Sequence, residues 1–124
     1  ALAGALGSAA AQTDAELRER LIGPWAEERS AGCSTHRQQV KLQADGRFEA
    51  NGVLDDCGKV TLFVWRGTWD VRGYRFVYTT THSNAPDRFP VGARHEDEIL
   101  SVSADEWVML EQAGGQRSVA RRVK

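Results

Sequence analysis

The run TLFVWRGTWD at residues 61–70, continued by VRG at 71–73 and YRFVYTTTH at 74–82, decides the architecture of this chain. Both arms are rich in aromatic and β-branched residues, and a glycine turn separates them, which is the signature of a β-hairpin. Side chains alternate along a strand, so Phe63, Trp65, Gly67 and Trp69 share one face of the first arm. By the same rule Tyr74, Phe76, Tyr78, Thr80 and His82 share one face of the second. A turn at Arg72-Gly73 sets Trp69 opposite Phe76, Gly67 opposite Tyr78, Trp65 opposite Thr80 and Phe63 opposite His82. One face is then a wall of rings, with Gly67 leaving room for Tyr78. The other carries Arg66, Asp70, Arg75 and several threonines and is read as wet. Aromatic cross-strand pairs contribute roughly 0.2–1 kcal/mol each, enough together to fix a register. A lone hairpin is marginal in water, so other strands must cover the rings.

Those strands lie on both sides. Asp14 to Ile22 has Leu17, Leu21 and Ile22 at helical spacing, with Thr13 as N-cap and Glu16 completing a capping box, and Gly23-Pro24 stops the helix. Trp25 to Ser30 forms a first strand. His36 to Gln43 and Arg47 to Leu54 form a hairpin about Ala44-Asp45-Gly46, with Val40, Leu42 and Phe48 facing inward. That fold sets residue 34 across from 57 and brings Cys33 beside Cys57, so a disulfide is expected at the mouth of the hairpin. Beyond the aromatic hairpin, SNAPDRFPVGAR at 83–94 is a loop, since its prolines cannot donate to a ladder. Strands resume at Glu96 to Val102, Trp107 to Glu111 and Arg117 to Val123, with turns at Ala104-Asp105 and Gly114-Gly115. Eight consecutive strands joined by tight turns predict an all-β, eight-stranded antiparallel up-and-down barrel. Alternating strand direction places Trp25, the Asp45-Gly46, Arg72-Gly73 and Ala104-Asp105 turns and the last arginines at one end. The helix runs into Trp25 and caps that end. Cys33, Cys57, the 83–94 loop and Gly114-Gly115 surround the other, the entrance.

A chain of 124 residues is long enough for one domain with a true core, here 12–124. Its net charge of −1 gives no electrostatic case for nucleic acid. Residues 1–11, ALAGALGSAAA, resemble the latter part of a secretory signal, with Ala9 and Ala11 in an A-x-A pattern; the alternative is a flexible tail. No stretch is apolar for long enough to span a bilayer as a helix. Together with the expected disulfide, the signal-like segment predicts a periplasmic or secreted protein.

At this point the chain resembles a known group. Gly23-Pro24-Trp25 forms a G-x-W at the start of the first strand, and LIGPW, ADGRF, RGTWDV and DEILSVSADE are similar to stretches of small bacterial lipocalin-like proteins of the calycin group. The resemblance implies that Trp25 packs under an arginine of the last strand, Arg121 or Arg122, at the closed end. It also implies an exported protein that binds a small apolar or aromatic molecule. Size, barrel and single disulfide resemble, in second place, the small periplasmic inhibitors of bacterial metalloproteases. Such an inhibitor would insert Gln12 to Glu16 into a protease partner.

Pockets are mainly apolar with a few polar groups, and the ring wall supplies the candidates. Phe63, Trp65, Tyr78, Thr80 and His82 are assigned to ligand binding, because they lie nearer the entrance than Trp69 and Phe76. The topology sends His36, His82 and His95 toward the entrance along with Asp55, Asp56 and Asp97, but their spacing matches no metal motif. Glu96, Asp97 and Glu98 are read as the wet face of a strand. Ser34 and His36 do not complete a triad, no G-x-S-x-G and no phosphate loop is present, and no catalytic residue or cofactor is assigned. An enzyme acting in the barrel mouth is the remaining alternative.

Overall fold

The computed structural model describes residues 12–112 and 115–124. The signal or tail reading of residues 1–11 lies outside the described residues, as does Gly114 of the last turn. Among the described residues one helix, α1 (Asp14–Leu21), precedes eight strands. These are β1 (Gly23–Ala31), β2 (Ser34–Leu42), β3 (Arg47–Asp56), β4 (Lys59–Arg72), β5 (Arg75–Ser83), β6 (Arg94–Val102), β7 (Glu106–Glu111) and β8 (Arg117–Arg122). They pair antiparallel in chain order, and β8 returns to β1, which closes the barrel.

Two registers differ from the sequence expectation. In the β2–β3 hairpin Ser34 lies opposite Asp56 rather than residue 57, which places Cys33 directly across from Cys57, and the two form the disulfide. In the aromatic hairpin the turn is Gly73-Tyr74, so Trp69 faces Tyr78 and Val71 faces Phe76. Both turn residues have positive φ, 55° and 61°, the backbone twist that suits a two-residue hairpin. The tyrosine holds this conformation because its surroundings fix it. Its carbonyl accepts from Ile99 N–H at 2.7 Å, and Gly73 N–H donates to Asp14 of α1 at 3.0 Å. A displacement of two residues preserves side-chain parity, so the ring wall stays on the inner face.

A bulge does not preserve it. Gly67 pairs with Thr80 but Arg66 pairs with His82, so Thr81 is the extra residue, and every β5 side chain beyond it changes face. His82 therefore lies outside the barrel and is exposed. Gly67 makes room for a different group than expected. A Cβ there would strike the Thr79 carbonyl oxygen and come within 2.6 Å of Phe48 Cε2, so the close approach is to Phe48 and the β5 backbone rather than to Tyr78.

The closed end is built by α1. Thr13 and Glu16 form the capping box, and Leu17 and Leu21 are buried beneath the helix. Trp25 Nε1 donates to the Leu21 carbonyl at 2.8 Å, and the Arg122 guanidinium lies 3.9 Å from the center of the Trp25 ring. Arg122 also donates to the carbonyls of Ile22 and Arg20 at 2.7 and 2.6 Å. Arg121 instead points to the surface, where it pairs with Glu106 at 3.2 Å.

Candidate ligand-binding site

With one end plugged, the interior opens at the other, beside the 84–93 loop. Strand alternation sends Trp25, Glu27 and Arg29 of β1 inward, and Val40, Gln38 and His36 of β2 beside them. β4 contributes Phe63 and Trp65, β5 contributes Phe76, Tyr78 and Thr80, and β6 and β7 contribute Asp97, Trp107, Met109 and Glu111. Deep between them is a cavity of ≈ 60 Å³ whose floor includes Trp25, Phe48, Phe76, Trp107 and Ala120. Above it a vestibule of ≈ 430 Å³ reaches the surface between Arg88, Phe89, Arg94 and His95. Glu27, Arg29, Gln38, Trp65, Tyr78 and Asp97 line both spaces, so the two adjoin, and together they make up the chamber.

The chamber has an aromatic half and a charged half. Trp65 is stacked against Phe89 of the loop, with centers 4.6 Å apart and planes 11° from parallel, and Phe48 meets Trp65 edge-on at 5.1 Å. Tyr78 continues the wall toward Phe76 at 5.2 Å. On the charged half, Glu27 Oε1 accepts from Arg29 Nη2 at 3.0 Å and from Gln38 Nε2 at 3.1 Å. Arg29 also pairs with Glu111. Burial by itself would loosen the Arg29 proton, but the two carboxylates outweigh it and the pKa moves up. Burial holds His36 below the ordinary imidazole range, with Gln38 and Glu27 offsetting it only in part, so His36 is neutral at pH 7.

Asp97 is the least compensated group. Burial pushes its carboxyl up to about 6, against the opposing effect of a hydrogen bond from the Gln112 backbone N–H, and Glu111 adds to the rise. The Tyr78 phenol is raised as well, first by burial and then by the charges of Asp97, Glu111 and Glu27. Besides Arg29 Nε, two buried donors line the chamber without a protein acceptor among the described residues. They are the indole Nε1 groups of Trp65 and Trp107, whose residues are only 7% and 3% exposed. Such groups are costly to leave unpaired and ask for an acceptor in the space they face.

A closed eight-stranded antiparallel barrel, plugged by an N-terminal helix and open at the other end, matches a lipocalin-like protein from Bacteroides uniformis ATCC 8492. The TM-score is 0.59 at 18% sequence identity, over 84% of this chain and 99% of that one. The fold is lipocalin-like. No protein-family model matches the chain, and no curated protein matches its sequence.

The lipocalin-like barrel puts Trp65, Tyr78 and Thr80 in the vestibule lining and buries Phe63 in the core, packed against His36 and Phe89. It leaves His82 outside, where Nδ1 lies 2.9 Å from Thr81 Oγ1. His36 is packed edge-on against Phe63 at 5.3 Å, and His95 stacks on Tyr78 at 5.1 Å. Among the described residues no group of three or more His, Cys, Asp or Glu side chains is placed to hold a metal ion. Asp97 corrects the reading of 96–98 as a wet face, because it pairs with Phe76 and Glu111 and turns into the chamber. Glu27, Arg29, Gln38 and Glu111 had not been singled out. The available signal was parity: Glu27 and Arg29 follow Trp25 at steps of two, so whatever buries Trp25 turns them inward too.

Proposed function

We propose that this protein is an exported binding protein for a small molecule with an apolar or aromatic portion, held at the open end of the barrel. The observation that carries the reading is an aromatic-floored cavity adjoining a polar vestibule, with Trp65 and Tyr78 in the lining of both. A water molecule's share of liquid is about 30 Å³, so the ≈ 60 Å³ cavity admits an alkyl or ring tip of two or three heavy atoms. The ≈ 430 Å³ vestibule lies within the usual range of ligand pockets, roughly 300–1,000 Å³, and takes the rest of the molecule. Trp65, Tyr78 and Thr80 line it on one side with Phe63 buried behind Phe89, and Phe89 is the ring a ligand meets first. The Cys33–Cys57 bond supports an oxidising compartment, where disulfides persist.

The four tryptophans provide the test. Trp25 and Trp69 donate their indole N–H groups to the Leu21 and Gln43 carbonyls, whereas those of Trp65 and Trp107 have no such partner among the described residues. In an NMR titration with a panel of small aromatic and aliphatic compounds of every charge, a ligand should shift the Trp65 and Trp107 indole resonances saturably. Those of Trp25 and Trp69 should hardly move. Absence of any saturable shift across the panel at millimolar concentration refutes the binding function.

A further inference from the structure

The chamber's charge balance says which polar group the ligand carries. Among the described residues the carboxylates of Glu27, Asp97 and Glu111, with Glu96 also in the lining, face it against a single interior guanidinium, Arg29. Arg29 meets both Glu27 and Glu111 through Nη2, so its one positive charge is already matched, while its Nε has no partner among the described residues. His36 is neutral and adds no compensating charge. Arg88, Arg94 and His95 stand at the exposed rim, where Arg88 is paired with Asp56 at 3.3 Å and solvent screens the rest. Asp97 and Glu111 sit directly opposite one another on β6 and β7, an arrangement of like charges that costs stability in a sheet. No cation pairs with Asp97 among the described residues. Trp65, Tyr78 and Phe76 line the same space, Phe76 of β5 directly beside Asp97, and aromatic rings attract cations through their quadrupoles.

Resting on the binding function proposed above, we infer that the ligand is an organic cation, a primary or substituted amine on a short apolar or aromatic body. Its ammonium group sits between Asp97 and Glu111 and the aromatic wall. An ammonium is normally expensive to take out of water. Here the fold has already desolvated the carboxylates, so the incoming charge relieves a repulsion that a neutral molecule would leave in place. An acid would increase it. The unpartnered indole N–H groups of Trp65 and Trp107 add a preference for a hydrogen-bond acceptor on the amine's body, such as an ether, carbonyl or hydroxyl oxygen.

Three matched compounds separate the charge from the body: phenethylamine, 2-phenylethanol and phenylacetate, with butylamine, 1-butanol and butyrate as a smaller aliphatic set. Measured by calorimetry and by the Trp65 and Trp107 indole shifts at pH 7.5, the amine of at least one set should bind about ten- to hundredfold tighter than its alcohol. The acid should bind weakest. Asp97→Asn, checked for an intact fold by its NMR spectrum, should reduce the amine-to-alcohol affinity ratio by about tenfold. Glu111→Gln is the second variant and should act in the same direction. Alcohols that equal the amines, or acids that bind tightest, overturn the cation assignment while leaving a binding protein. No binding by either amine also overturns it, and the wider panel then decides separately whether the chamber binds anything.

Discussion

Asp97 and Glu111 meet across the β6–β7 pair with only part of their charge answered, and this has a measurable cost to folding. The carboxyl of Asp97 is pushed up to about 6 by burial, with Glu111 and Glu27 adding to the rise and Arg29 working against it. An unfolded aspartate titrates near 3.9, so the folded chain holds this proton more firmly. By linkage, Asp97 imposes no penalty below about pH 4, and its penalty grows as the pH rises through 6. Asp97→Asn should therefore stabilise the ligand-free protein at pH 8 by about 1 kcal/mol, allowing for solvent screening of a partly buried carboxyl. The gain should vanish toward pH 4, and urea melts at the two pH values would show it. A variant less stable than the parent at pH 8 would mean that Asp97 has a stabilising partner. Little of this charged half was legible in the sequence. A run such as Glu96-Asp97-Glu98 has the composition of a solvated strand, and nothing local distinguishes Asp97 from its neighbors. Only the positions of Phe76 and Glu111 beside it turn it inward.

The long strand β4 and its partner β5 show why the aromatic half was easier to read. Alternation of Phe63, Trp65, Gly67 and Trp69 is a property of the strand itself and survived a two-residue error in register. The position of His82 depends instead on the bulge at Thr81, which no residue in YTTTH announces. The bulge lies beside Gly67, where the Phe48 ring and the Thr79 carbonyl oxygen press toward the β4 backbone. Gly67→Ala has no space for its methyl group and must displace Phe48 or separate β4 from β5. Overpacking of a buried site costs about 1–3 kcal/mol, and chemical denaturation should register a loss of that size. The displacement should also travel to Trp65 through its edge contact with Phe48, so the Trp65 indole resonance should shift more than that of Trp107. A variant as stable as the parent, with an unchanged spectrum, would contradict the packing around Gly67.

Closure of the ring depends on its weakest seam. β1 and β8 are joined over only three residue pairs, Trp25 to Glu27 against Arg122 to Ala120, whereas β3 and β4 pair over ten. The first and last strands are fastened there by Arg122, which covers Trp25 and donates to the Arg20 and Ile22 carbonyls where the helix ends. Hydrogen bonds from a charged donor contribute about 1.5–3 kcal/mol and a desolvated cation–π contact about 2, but these contributions overlap within one side chain. Arg122→Ala should cost about 2–3 kcal/mol in all. Arg122→Lys should recover only part of it, because an ammonium cannot reproduce the planar fork that reaches both carbonyls. Location is the sharper test. Hydrogen exchange in Arg122→Ala should quicken first at the β1–β8 seam and in α1, well before the β3–β4 amides respond. Uniform acceleration through all eight strands would instead make the barrel one cooperative unit in which the seam has no special standing. If the seam does open first, the charged half of the chamber, whose Glu27 and Arg29 belong to β1, loosens ahead of the aromatic half on β4 and β5. Ligand affinity in that variant should then fall by more than its modest loss of overall stability would suggest.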